Sequence, residues 1–239
     1  MLYVLAIGNS FSEDSTARLE SLGEGLYVRN LYIGGCSLET HVNNVKEANP
    51  YYEYQKNGRR LKMTSINDAL TKKKWDYISI QQVSQLSGMP DSYEPFTEFL
   101  VNYLKEKCPK AQIVFHRTWA YSDDSTHGGF ANYDWDRKKM YNAIVDTTSK
   151  VAEKYNLPVI PSGDAIEKAR DIPEFDTSKG GLNLNRDGFH LSLDYGRYLA
   201  GLTLYKFFTG NDVTKVEYEP EETSPELCAK LKEVANNIL

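Results

Sequence analysis

The sequence predicts a doubly wound α/β fold built on a parallel sheet. Leu2 to Ile7 is an unbroken apolar run closed by Gly8, the pattern of a strand buried on both faces. Further short apolar or β-branched runs alternate with stretches of helical periodicity, and that alternation is the signature of a parallel sheet flanked by helices. A chain of 239 residues, 41% apolar and 26% charged, has the composition of a globular protein with one sizeable core.

The first strand is Leu2 to Ile7, and the others are expected at Leu26 to Ile33, Asp76 to Gln81, Gln112 to His116 and Pro158 to Ile160, each bounded by polar or glycine residues. Helices are expected over Glu13 to Leu22, Leu38 to Ala48, Ser65 to Lys73, Tyr93 to Lys107, Tyr133 to Tyr155 and Leu193 to Phe208, with one more near the C-terminus. Tyr51 to Thr64 breaks the alternation with a tyrosine-rich segment around Asn57-Gly58, the dipeptide that supplies positive φ at both centres of a type I′ turn, so an inserted β-hairpin is expected. Ser122 to Tyr133 is polar and glycine-containing without periodicity, and reads as a long loop that shapes a pocket. The length, short enough for one large α/β core without a second folding unit, points to one domain over residues 1–239.

Several function classes are disfavoured. The formal net charge of −5 argues against a nucleic-acid partner, and Lys72-Lys73-Lys74 reads as a solvated helix end. Cys36, Cys108 and Cys228 lack the spacing of a disulfide framework or a zinc site, and no partner for Cys36 is evident along the chain. Four histidines, widely separated, do not form a metal motif, so no metal or organic cofactor is expected. Leu2 to Ile7 is too short to span a membrane and lacks signal-peptide flanks. A soluble chain is expected, with the compartment, cytoplasmic or exported, and the oligomeric state left open.

Four segments carry chemistry. Gly8-Asn9-Ser10-Phe11-Ser12 follows the first strand, where side chains face the ligand crevice of a wound sheet. Ser10 is a candidate nucleophile there, although Ser10-Phe11-Ser12-Glu13 also fits a capping box. Asp187-Gly188-Phe189-His190 precedes the last long helix, and its spacing suits a carboxylate that orients an imidazole, or simply a turn before a helix cap at Ser192. Gly34-Gly35 after the second strand and Gln81-Gln82 after the third are candidate donors to an oxyanion, or plain strand-end solvation.

The joint placement of these segments resembles the SGNH/GDSL hydrolase superfamily over most of the chain in element order. Gly8-Asn9-Ser10 stands where that family carries Gly-Asp-Ser, Gly35 where it contributes a backbone amide, and Asp187 and His190 where it has Asp-x-x-His. The third block departs: Gln81-Gln82-Val83-Ser84 replaces Gly-x-Asn-Asp, and Gln82 is the expected substitute donor, with Gln81 the alternative. The pattern is similar to a divergent bacterial branch. The resemblance implies a three-layer α/β/α, flavodoxin-like fold with a five-stranded parallel sheet in the order 2-1-3-4-5, the hairpin near 51–64 being an insertion.

What the resemblance implies functionally is a serine esterase: Ser10 the nucleophile, His190 the base, Asp187 its orienting carboxylate, and Ser10, Gly35 and Gln82 the oxyanion hole. His41, His116, Trp119, Tyr121 and His127 are candidates to line the substrate pocket, His41, Trp119 and Tyr121 foremost. Seventeen tyrosines and three tryptophans suit a sugar-binding cleft, which favours short-chain acyl esters, acetyl above all, on a carbohydrate or other small molecule. The alternatives are an inactive glycan- or small-molecule-binding protein on the same scaffold, and a lysophospholipase- or thioesterase-like hydrolase.

Overall fold

The computed structural model describes residues 1–239. In chain order the strands are β1 Leu2–Gly8, β2 Leu26–Tyr32, β3 Tyr52–Lys56, β4 Arg59–Thr64, β5 Tyr77–Ile80, β6 Gln112–His116 and β7 Val159–Ile160. The helices are α1 Ser10–Thr16, α2 Leu38–Glu47, α3 Ile66–Thr71, α4 Phe96–Lys107, α5 Arg137–Tyr155, α6 Ser162–Ala169, α7 Tyr195–Thr209 and α8 Pro225–Asn237. All seven strands form one sheet in the order β4-β3-β2-β1-β5-β6-β7. Its five parallel members, β2, β1, β5, β6 and β7, follow the expected 2-1-3-4-5 winding.

The hairpin is not an appendage beside a five-stranded sheet. Asn57 and Gly58 both have positive φ, 51° and 68°, as an I′ turn requires, and β3 pairs antiparallel with β2 through Asn30↔Gln55 and Leu31↔Tyr54. The sheet is therefore seven-stranded. The physical reason is the outer edge of β2, whose backbone groups would otherwise go unpaired. The new edge, β4, exposes Arg59, Arg60 and Lys62, charges that discourage further strand addition.

Alternation along the strands divides the core into two layers. Val4, Val28 and Val114 pack with residues of α1, α6, α7 and α8, whereas Leu5, Ile7, Leu31, Ile78, Ile80, Ile113 and Phe115 pack with α2, α3 and α4. α5 contributes Met140 and Ile144 to the first layer and Val151 and Ala152 to the second.

Boundaries shift where local chemistry overrides periodicity. α1 begins at Ser10 and stops at Thr16, with a short 3-10 turn at Leu19–Ser21 in place of a continuous helix to Leu22. α5 begins at Arg137 because Asp134 and Trp135 adopt positive φ and Asp136 caps the Lys139 amide at 2.9 Å. α6 was not expected, since Pro161-Ser162-Gly163-Asp164 reads as a turn. Gly163 is there because a Cβ would meet the Thr118 carbonyl oxygen at 2.2 Å. No helix is long and apolar enough to cross a membrane.

β1 lies between β2 and β5 where the winding reverses. Loops leaving the C-terminal ends of β1, β2 and β5 therefore meet in one crevice.

Candidate active site

β1 delivers the chain to Gly8 and Asn9, and α1 starts at the next residue. The cap of α1 is Asn9, whose Oδ1 accepts from the Phe11 amide at 3.0 Å. That leaves the Ser10 hydroxyl, the other candidate for the capping role, without a hydrogen bond inside the protein.

Asn9 is itself buried and bonded through both of its side-chain polar atoms. Its Oδ1 also accepts from Gln81 Nε2 at 3.0 Å, and its Nδ2 donates to the Cys36 carbonyl at 3.0 Å. The second contact accounts for an amide where the resemblance has a carboxylate, because an aspartate would set one oxygen against the Cys36 oxygen with no proton between them. Beneath Asn9 the chain of bonds continues: His116 Nδ1 lies 2.9 Å from Gln81 Oε1 and His116 Nε2 2.9 Å from Ser162 Oγ. Gln81 is a structural link, not a free donor.

Gly35 has a φ of 64°, a conformation glycine adopts without strain, and an added Cβ would meet nothing within 4 Å. Neither the Ser10 nor the Gly35 amide has a backbone acceptor.

The third block is rearranged relative to expectation. Gln82 is buried, its Oε1 accepts from the amides of Leu38 at 3.1 Å and Val83 at 2.8 Å, and its Nε2 donates to Ser92 O and Oγ at 2.8 and 3.1 Å. It therefore has no proton left for an oxyanion and lines no cavity with Ser10. Gln85, three residues on, does line that cavity, and its Nε2 makes no hydrogen bond within the protein. Sequence reading missed it because the turn Ser84–Leu86, which sets its direction, has no signature of its own.

The last loop is held by its own turn. Asp187 Oδ1 accepts from the amides of His190 at 2.8 Å and Phe189 at 3.3 Å, and Oδ2 accepts a hydrogen bond from His190 Nδ1 at 2.7 Å. Burial alone would raise the Asp187 pKa, but the hydrogen bonds from the His190 ring and from both amides outweigh it and hold the carboxyl below its ordinary value. An ionised Asp187 keeps the His190 proton on Nδ1. Nε2 is left as an acceptor with no protein partner.

A cavity of about 290 Å3 is lined by Ser10, Gly35, Gln85, His127, Phe189 and His190, among others. Nucleophile-type hydroxyl, carboxylate-paired imidazole and free amides thus share one space, although 180 positions separate Ser10 from His190.

Two contacts that sequence reading did not find join the halves of this site. Asp14, fully buried on α1, accepts from the Leu191 amide at 2.8 Å, from Arg186 Nη1 at 3.1 and 3.2 Å, and from Arg197 Nε at 2.7 Å. Arg186 also donates to the Leu191 carbonyl. Trp119 stacks on Phe11 with ring centroids 4.3 Å apart and donates its indole N–H to the Phe189 carbonyl at 2.8 Å. Both contacts clamp the His190 loop against the Ser10 helix. The available signal for Asp14 was a carboxylate on the helix face that should be apolar.

Three expected pocket residues are corrected. His41, Trp119 and Tyr121 are each fully buried and none lines the cavity. Trp119 is a clamp, and Tyr121 spends its hydroxyl on Ser84 Oγ at 2.8 Å. His41 sits within the second core layer, its Nδ1 2.7 Å from the Tyr52 hydroxyl and 3.4 Å from Cys36 Sγ. Cys36 thus has a neighbour after all. Burial pushes the Cys36 thiol up to about 12 and His41 down to about 3, the opposite of a thiolate–imidazolium pair.

His116 is likewise held neutral by burial, with its pKa lowered to about 3. Two buried neutral histidines carry a stability consequence. Their folded pKa values lie below the unfolded one near 6.5, so the unfolded chain binds more protons as pH falls and stability is lost from about pH 6.5 downwards, towards pH 3. Each should approach a loss of about 1.4 kcal/mol per pH unit in that window. Urea unfolding at pH 7.0 and 5.5, above the range of ordinary carboxylates, should show the midpoint dropping; an unchanged midpoint would contradict the burial of both rings.

No group of three or more His, Cys, Asp or Glu side chains is placed to hold a metal ion.

The wound sheet with serine, glycine and histidine loops at one crevice defines the SGNH/GDSL fold class. The chain aligns with a member of the lipolytic G-D-S-L family from Veillonella parvula at a TM-score of 0.55 and 15% identity, covering 87% of this chain and 99% of that one. It aligns with an acetyl xylan esterase at a TM-score of 0.56 and 11% identity, covering 86% and 99%. At these identities the likeness is one of fold. The chain belongs to the DUF4886 family, described as a domain of unknown function, whose model matches residues 3–238. A DUF4886 family protein from Bacteroides uniformis is 41% identical with a TM-score of 0.91, over 99% of this chain and 93% of that one. No curated protein matches the sequence.

Proposed function

We propose that the protein is a serine esterase that hydrolyses short-chain acyl esters, acetyl above all, of a carbohydrate or another small alcohol. The observation that carries this reading is the single cavity lined both by Ser10, whose hydroxyl is unbonded within the protein, and by His190, itself held 2.7 Å from Asp187.

In the proposed reaction Ser10 Oγ attacks the ester carbonyl while His190 Nε2 takes its proton. Asp187 stabilises the resulting imidazolium. The amides of Ser10 and Gly35 and the side-chain amide of Gln85 hold the negative oxygen of the tetrahedral intermediate. Its collapse breaks the bond to the alcohol, which leaves with the proton from His190. Water then attacks the acyl-enzyme, again with His190 as base, and Ser10 is regenerated.

The size of the cavity, about 290 Å3, lies at the small end for ligand sites and favours a short acyl chain. Covalent labelling by a fluorophosphonate probe is the test: mass spectrometry of a digest should place the adduct on the Ser10 peptide. A protein that hydrolyses no acetyl ester and takes up no label would be a binder on this scaffold and not an esterase.

A further inference from the structure

The polar side chains around the catalytic cavity divide into those already used and those left over. Asn9 is fixed by the two bonds its Oδ1 accepts and the one its Nδ2 donates to the Cys36 carbonyl, and Ser84 Oγ is bonded to the Tyr121 hydroxyl at 2.8 Å. Gln85 is assigned above to the oxyanion. Tyr32 and His127 remain, lining the same cavity with the Tyr32 hydroxyl and His127 Nε2 unbonded within the protein.

The state of His127 follows from its other nitrogen. Nδ1 accepts from the Gly129 amide at 3.1 Å, so in the neutral ring the proton sits on Nε2. Burial and the neighbouring His190 both favour that neutral form, lowering the pKa, with Asp187 opposing. Unlike His190, this ring has an amide where a base would have a carboxylate, so it is a hydrogen-bond donor and not a second base.

Its position is set by packing. Ring centroids of Tyr121 and Phe189 lie 5.1 and 4.8 Å away, and Phe189 in turn lies 4.0 Å from the His190 ring. Gly129 lets the His127 loop close on the third block, where a Cβ would come within 2.2 Å of Gln85 Cβ. The Tyr32 hydroxyl lies 3.4 Å from where a Cβ of Gly34 would be, beside the glycine loop.

We propose that His127 determines specificity by donating Nε2–H to an oxygen on the alcohol side of the ester, with Tyr32 as a second contact, so that the site selects acyl esters of polyhydroxylated alcohols over those of alkyl alcohols. An alkyl alcohol would occupy the cavity without pairing the Tyr32 hydroxyl or His127 Nε2, which is how a site built for hydroxyls disfavours the analogue lacking them. The ester part of this inference rests on the proposed esterase reading, whereas the hydroxyl contact does not.

The test compares glucose acetylated on its primary hydroxyl with ethyl acetate, which share an acyl group and differ in the alcohol. His127→Ala should lower kcat/KM for the sugar ester roughly 2- to 13-fold, the range of one neutral hydrogen bond, and leave kcat/KM for ethyl acetate unchanged by comparison. His127→Gln, which keeps an N–H near the position of Nε2, should restore most of the loss. An equal fall for both esters, or none for the sugar, would overturn the assignment. Calorimetry with Ser10→Ala and Ser10→Ala/His127→Ala supplies a readout without turnover: the second should bind the sugar ester more weakly by the same factor. Discrimination in binding without hydrolysis by the unmutated protein would remove the esterase reading and keep the contact. Equal affinities, or no binding by Ser10→Ala, would remove the contact itself.

Discussion

Ser10→Ala is expected to lower kcat for acetyl-ester hydrolysis by about 10^4-fold or more while leaving the fold intact. The magnitude follows from what is removed. Without the hydroxyl there is no acyl-enzyme, and what is left is the binding energy and the oxyanion donors acting on attack by water. A factor of 10^4 corresponds to about 5.4 kcal/mol of transition-state stabilisation. Folding should be nearly untouched, because the Ser10 hydroxyl makes no hydrogen bond within the protein and the helix cap belongs to Asn9. Single-turnover and steady-state kinetics on a short-chain ester check the first statement, and denaturant unfolding the second. In the same assays Gln85→Ala should reduce kcat by about 10²–10³, the effect of losing one oxyanion donor, whereas Gln82→Ala should act through stability. A Ser10→Ala protein with more than a few per cent of the original rate would refute the mechanism outright.

Asp14→Ala should be the most destabilising single change near the site, by about 3–5 kcal/mol, the typical effect of removing one partner from a buried ion pair. The side chain is fully buried and accepts four bonds, from two arginines and the Leu191 amide. Its loss would leave Arg186 and Arg197 facing each other across the vacated space. Arg197 keeps Glu13 at 3.4 Å, but Arg186 loses its carboxylate. The Leu191 amide loses its acceptor one residue from His190, so the histidine loop should loosen relative to α1. Asp14→Asn, of nearly the same volume, separates charge from packing: it should retain part of the stability yet slow fluorophosphonate labelling of Ser10, because the Arg pairing that registers the loop is lost. Chemical denaturation and labelling rates measured on both variants decide the point. A destabilisation below about 1 kcal/mol for Asp14→Ala would show that the clamp is dispensable.

The two clamps, Asp14 and Trp119, show why a site of this kind tolerates being assembled from distant segments. Asp187 and His190 are arranged by their own turn, with three hydrogen bonds inside a stretch of four residues. Ser10 is arranged by the first strand and its Asn9 cap. Neither unit requires the other to form, and the clamps then set their mutual position. Trp119 contributes from the loop after β6, stacking on Phe11, one residue from Ser10, and binding the carbonyl of Phe189, one residue from His190.

Properties that depend on neighbours in the chain were legible from the sequence. Continuous apolar character identified β1, Asn57-Gly58 located the turn of the hairpin, and strand–helix alternation defined the wound sheet, because each follows from backbone geometry over a few residues. Properties that depend on which side chain a folded neighbour has already engaged were not. Gln82 and Gln85 are alike as residues, and only the packing of Ser92 and Leu38 around the first leaves the second free. His41 and His127 are alike in the same sense: one is sealed between α2 and β3 beside Cys36, while the other reaches the cavity with one nitrogen uncommitted. A one-dimensional sequence specifies which donors and acceptors exist, but their availability is decided by long-range pairing, which comes into being only when the sheet closes.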